Sequence, residues 1–144
     1  MSRAAAGVRD PAPLPLRAKA ALVLEVAASY LDARRSLRGV PLGDAVAHLR
    51  AVRRDRGPEH PDAVTTGRRL GRAVVRTLPF LPGDTRCLTQ SLTLTRLLAR
   101  RGIESKLVIG VRAGESFAAH AWVEHEGVPL LPAGGEPFER LVTL

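Results

Sequence analysis

The chain has 144 residues, 45% of them apolar, close to the usual size of one domain and enough to bury a core. Aromatics make up only 3%, so that core must be built mostly from Leu, Val and Ala. The formal charge of +8 rests almost wholly on arginine, Lys19 and Lys106 being the only lysines. Such a charge suits an acidic protein partner or nucleic acid, but no nucleic-acid-binding motif accompanies it and few aromatics are present to stack on bases. Nucleic acid is therefore not an expected ligand. No run of about 18 apolar residues occurs, which excludes a transmembrane helix.

Residues 1–15, MSRAAAGVRDPAPLP, are rich in Pro and Ala and read as flexible. They contain no apolar stretch of the kind a signal peptide needs, so the expected location is the cytoplasm. The single cysteine cannot form an internal disulfide, which agrees with a reducing compartment.

From Leu16 to Leu37 the residues Ala20, Val23, Leu24, Ala27, Ala28 and Leu31 recur at helical spacing, ending before Gly39. The stretch VPLGDAVAHLRAVRRD predicts a second helix, with Pro41 near its start and Gly57-Pro58 in the loop after it. DAVTTGRRLGRAVVRTLPF predicts a third, stopped at Pro79, in which Gly67 and Gly71 suggest close contact with a neighbour. After Pro82-Gly83 a fourth, amphipathic helix is expected, with Leu88, Ser91, Leu92, Thr95, Leu98 and Ala99 on one face and Gly102 as its stop. Asp84 or Thr85 would cap it, which puts Cys87 in or near the first turn.

IESKLVIGVRA and SFAAHAWVEH then read as strands, and GVPLL as a short third strand whose prolines confine it to a sheet edge. The predicted architecture is α+β: N-terminal helices, then a cysteine-bearing helix packed on a small antiparallel sheet. The whole chain, 1–144, is taken as one domain, with a helical subregion at 16–80 and a core at 81–144.

A thiol at a helix N-terminus is favoured as thiolate, because unpaired N–H groups and the helix dipole stabilise negative charge. Backbone N–H groups around Cys87 and Leu88 would also suit an oxyanion. The competing reading is that Cys87 is an ordinary buried residue. His120 weighs against that reading. Strand alternation puts it on one face with Ala118, Trp122 and Glu124, while Phe117, Ala119, Ala121 and Val123 form the expected core face. His48, His60 and His125 are expected in solvent. No Cys/His or His/His pair has metal-ligand spacing, so neither zinc nor any other cofactor is expected.

The segment CLTQSLTLTRLLARRGIESKLVIGV followed by FAAHAWVEHEG resembles the transglutaminase-like cysteine peptidases of lasso-peptide biosynthesis, the leader-removing B protein in its split form. The resemblance spans roughly residues 80 to 131. It implies a papain-related fold, Cys87 as nucleophile and His120 as general base and acid. It also implies a precursor peptide as substrate, a small leader-binding protein (a RiPP recognition element) as partner, and a separate ATP-dependent lasso cyclase acting afterwards. Gln90 stands where the family commonly has arginine; with Leu88 and Trp122 it is a candidate for contact with substrate or oxyanion.

The family's orienting aspartate is missing. A two-residue turn at Glu126-Gly127 would put His120 opposite Ala133 and next to Pro132, and neither carries a carboxylate. Glu124 lies about 13 Å along the strand. That leaves Glu136, reached through Gly134-Gly135, or a backbone carbonyl. Two other readings stay open: an acyltransferase using the same Cys-His pair, and a non-catalytic scaffold with a decayed triad.

Overall fold

The computed structural model describes residues 12–51, 62–132 and 137–144. Three helices come first: α1 (Leu16–Ser36), α2 (Leu42–Ala51) and α3 (Ala63–Thr77), the last running into a 3-10 turn at Leu78–Phe80. Helix α4 (Cys87–Arg100) follows, then strands β1 (Lys106–Arg112), β2 (Ala118–His125), β3 (Val128–Pro129) and β4 (Glu139–Thr143). The four strands form one antiparallel sheet in the order β3-β2-β1-β4. The α+β architecture is as the sequence predicts, and β3 lies at a sheet edge as its prolines require. Gly57-Pro58 and His60 fall outside the described residues.

Helix α4 is the centre of the molecule, with α1, α2, α3 and β2 all packed against it. The expected single apolar face does not hold here: every residue from Ser91 to Ala99 is buried. Two of the buried threonines meet their hydrogen-bonding need within the helix. The Thr93 and Thr95 hydroxyls donate to the carbonyls of Thr89 and Ser91 one turn back, at 2.7 and 2.9 Å. Arg96 donates to the Leu49 carbonyl at 3.1 Å and pairs with Asp32 at 3.2 Å. Arg101 completes the clamp on α1 with a two-pronged bond to Glu25 at 2.7 and 2.9 Å.

Helix α1 also turns a different face inward from the one its periodicity suggests. Val26, Ser29, Tyr30 and Ala33 are buried, while Val23, Leu24 and Leu31 are exposed. The buried set lies half a turn away from the expected stripe and contains the helix's one aromatic residue.

The hairpin β2–β3 forms through Glu126-Gly127, both at positive φ (48° and 79°), the backbone of a type I′ turn. The register pairs His125 with Val128 and Glu124 with Pro129, as that turn dictates. Helix α3 lies close to the chain just after β3. A Cβ on Gly67 would sit 2.6 Å from the Leu130 side chain, and one on Gly71 would meet the Leu130 carbonyl oxygen. Both glycines are therefore close-approach positions.

Gly71→Ala is expected to destabilise the fold by about 1–3 kcal/mol, since backbone rather than a flexible side chain blocks the new methyl. Gly43→Ala in α2, where a Cβ meets nothing within 4 Å, should stabilise by up to about 1 kcal/mol. Urea denaturation of both variants checks the pair, and an unchanged midpoint for Gly71→Ala would contradict the packing.

Candidate functional site

Cys87 is the first residue of α4, one position closer to the helix start than a cap at Thr85 gives and two closer than one at Asp84. The N-cap is Arg86 and makes no side-chain cap bond. Asp84 instead closes the turn before the helix, accepting from the Arg86 N–H and from its guanidinium, each at 3.0 Å. Those bonds hold the Asp84 carboxyl below its ordinary pKa, the side-chain bond from Arg86 contributing most. The first intrahelical bond runs from the Gln90 N–H to the Arg86 carbonyl, so the N–H groups of Cys87, Leu88 and Thr89 point out of the helix end without helical partners. Cys87 itself is half-buried and packs against the core.

The loop leading into Cys87 is tied down from two sides. Tyr30 Oη donates to the Pro82 carbonyl at 2.6 Å and Arg34 Nη1 to the same oxygen at 3.2 Å. Gln90 Nε2 donates to the Thr85 carbonyl at 3.0 Å. Gln90 thus staples the loop to the helix, and the Leu88 side chain packs into the core, leaving only its N–H to the helix end.

His120 stands on β2, the strand on which α4 rests, paired in register with Gly110 of β1. Its Nε2 lies 2.8 Å from the carbonyl oxygen of Pro132. A carbonyl can only accept, so Nε2 carries the hydrogen, and in the neutral ring Nδ1 is then the acceptor. Trp122 stacks beside the imidazole with centroids 6.0 Å apart, and Phe138 approaches from the β4 side at 5.4 Å. Gly110 makes room for both rings, since a Cβ there would fall 2.7 Å from Phe138 and 2.9 Å from Trp122.

Trp122 is only 4% exposed and gives its indole N–H to Glu124 at 2.8 Å. Glu124, also buried, takes two further bonds from Arg140 at 2.7 and 3.1 Å. The face carrying His120 is therefore covered over Trp122 and Glu124, where strand alternation suggested a core on the other face alone. On that other face Ala121 and Val123 are buried as expected, but Phe117 and Ala119 are exposed.

Glu136 lies outside the described residues. The sequence gives no sign of Phe138 or Arg140 as supports of this site, because β4 was not legible as a strand. The Pro132 carbonyl was foreshadowed by the register that the Glu126-Gly127 turn implies. His48 is exposed as expected, whereas His125 is not in solvent: its Nδ1 lies 2.6 Å from the Glu104 carbonyl. Among the described residues no group of three or more His, Cys, Asp or Glu is placed to hold a metal ion, and no helix is long and apolar enough to cross a membrane.

A thiol at the positive end of a helix, beside N–H groups without helical partners, has features that thioester chemistry uses, and His120 stands on the strand against which that helix packs. Native Cys87 is expected to react with iodoacetamide near neutral pH faster than free cysteine, and His120→Ala should slow it at least about tenfold by removing the proton acceptor. Rates measured by mass spectrometry under pseudo-first-order conditions test this, and an unchanged rate in His120→Ala would separate the two residues.

No curated protein and no solved structure matches the chain. A model of the Transglutaminase-like superfamily matches residues 27–143, which takes in the C-terminal part of α1, all of α2 and α3, and the α4–sheet core. The fold has the cysteine-led helix on an antiparallel sheet, and the match runs through most of the sequence. The chain belongs to the Transglutaminase-like superfamily, a group of Cys-His peptidases and acyltransferases.

Proposed function

We propose that this chain is a cysteine endopeptidase that removes the leader from a ribosomally made lasso-peptide precursor, with Cys87 as nucleophile and His120 as base and acid. The observation that carries the reading is Cys87 as first residue of the central helix, which packs on the strand bearing His120, whose Nε2 is taken up by the Pro132 carbonyl.

In this reading Nδ1 of His120 takes the thiol proton as Sγ attacks the scissile carbonyl carbon. The oxyanion meets the N–H groups at the start of α4. Collapse breaks the C–N bond, the imidazolium returns the proton to the leaving amine, and a thioester remains on Cys87. Water then attacks the thioester with His120 again as base, releasing the leader carboxylate and the free thiol. The Pro132 carbonyl orients the ring throughout. It is neutral, so it steadies the imidazolium less than a carboxylate would, and a cysteine, being more acidic than serine, depends on that help less.

The resemblance in Cys87–Val111 and Phe117–Gly127 supports the lasso-peptide assignment. It also supports a leader-binding partner that presents the precursor and a separate ATP-dependent cyclase that takes the freed core. A partner of this kind raises the rate through effective concentration rather than through new chemistry.

Incubation with any precursor found encoded beside this chain, with and without a neighbouring leader-binding protein, tests the assignment by mass spectrometry, and the lack of any such neighbour would count against it. Cleavage between leader and core, faster with the partner, is the expected result; no cleavage with both present would overturn it. Cys87→Ala should abolish turnover and His120→Ala should be about as severe, since members of such a unit are not additive. Glu136→Gln should stay within about threefold of the parent if the Pro132 carbonyl is the orienter. A fall of about 10³–10⁴ in that variant would give the role to Glu136 instead.

A further inference from the structure

The apolar stripe of α1 that its sequence marks so clearly faces away from the protein. Leu16, Val23, Leu24 and Leu31 are 82%, 48%, 71% and 48% exposed. Ala20 and Ala28 are exposed with them, and Ala27 is half-buried. The steps from Leu16 to Ala20, Val23 and Ala27 are those of a heptad seam, with Leu24 and Leu31 running alongside. Val26, Ser29, Tyr30 and Ala33 on the opposite side already bind the helix to the fold, so the stripe contributes nothing to the core.

The charges around the stripe are of one sign. Both carboxylates of α1 are committed to α4, Glu25 to Arg101 and Asp32 to Arg96 and Arg100. Arg17 and Arg35 are exposed beside the stripe, near its two ends. They stand about 27 Å apart along the axis at 1.5 Å per residue. Two copies of this face would set cation near cation with no free carboxylate between them, which disfavours self-association. A lipid surface would tolerate the charge but gains most from large and aromatic side chains, and this stripe has alanines and no aromatic. Alanines at a seam let a second helix approach closely.

We propose that the outer face of α1 docks a partner protein through an amphipathic helix of about five turns, apolar along its seam and carrying carboxylates near both ends. This stands independently of the chemistry at Cys87, and of whether the substrate is a lasso-peptide precursor.

The probe is a synthetic 21-residue helix of Leu and Ala in heptads with Glu at the flanking positions, and a second peptide with Lys in place of Glu. Both are titrated into the Cys87→Ala chain, so that no turnover enters the measurement. The Glu peptide should bind saturably, about tenfold or more tightly than the Lys peptide, and weaken as salt rises. Leu24→Asp should reduce its affinity at least about tenfold with unchanged circular dichroism, and Leu31→Gln, a milder change, should also weaken it. Arg17→Glu with Arg35→Glu should reverse the preference between the two peptides. The proposal fails if neither peptide binds, or if the stripe variants bind like the parent. It fails equally if vesicles of phosphatidylglycerol compete the peptide off, or if sedimentation shows the chain dimerising through this face.

Discussion

Helix α4 has almost no side facing water, and that constraint organises the rest of the molecule. A helix buried along its length must satisfy its polar groups internally. The threonines do so by bonding back to the preceding turn. Arg96 does so by reaching the last turn of α2 through the Leu49 carbonyl and α1 through Asp32. Helices α1 and α2 are thus placed by what α4 needs as much as by what it excludes. One consequence falls at its free end: Cys87 leads a helix that is gripped on every side, so the thiol is placed by the core rather than by a mobile loop.

How much of this was legible depended on whether local chemistry or tertiary packing made the decision. The hairpin was readable because Glu126-Gly127 is a local device, and two residues at positive φ set the register of everything paired across it. The helices were readable as helices, but not by their faces. In α1 so many positions are Ala, Val or Leu that two stripes satisfy the helical period, and apolarity alone does not rank them. The buried stripe is the one with Tyr30, whose hydroxyl reaches Pro82, and with Ser29 and Ala33. In α4 Thr89 and Thr93 fell outside the expected apolar face yet are buried; Thr93 bonds back to the preceding turn, which removes the cost of its hydroxyl only once the helix has formed. Strand β4 was missed because the sequence ERLVT is short and stays exposed along its length, so it has no apolar alternation to read.

The candidate site divides in the same way. The places of Cys87 at a helix start and of His120 on a strand were legible because both are local signals. Supports of the His120 ring come from the segment between β3 and β4, where the Pro132 carbonyl and the Phe138 ring both reach the imidazole. A backbone oxygen leaves no mark in a sequence. Its role emerges only from the pairing geometry that brings residue 132 beside residue 120.

Strands β3 and β4 lie on opposite edges of the sheet, so the chain joining them must travel from one side of it to the other. Both groups that hold the imidazole sit on that connection or at its end. Strand β4 is in turn secured at its far end, where Leu107 and Leu144 exchange two backbone bonds of 2.8 Å. Helices α1 to α4 and the β1–β2 hairpin leave the ribosome first and are free to associate before this connection exists. A nascent chain therefore forms its cysteine-led helix early, and acquires the contacts that hold the His120 ring only when this last connection and strand have docked.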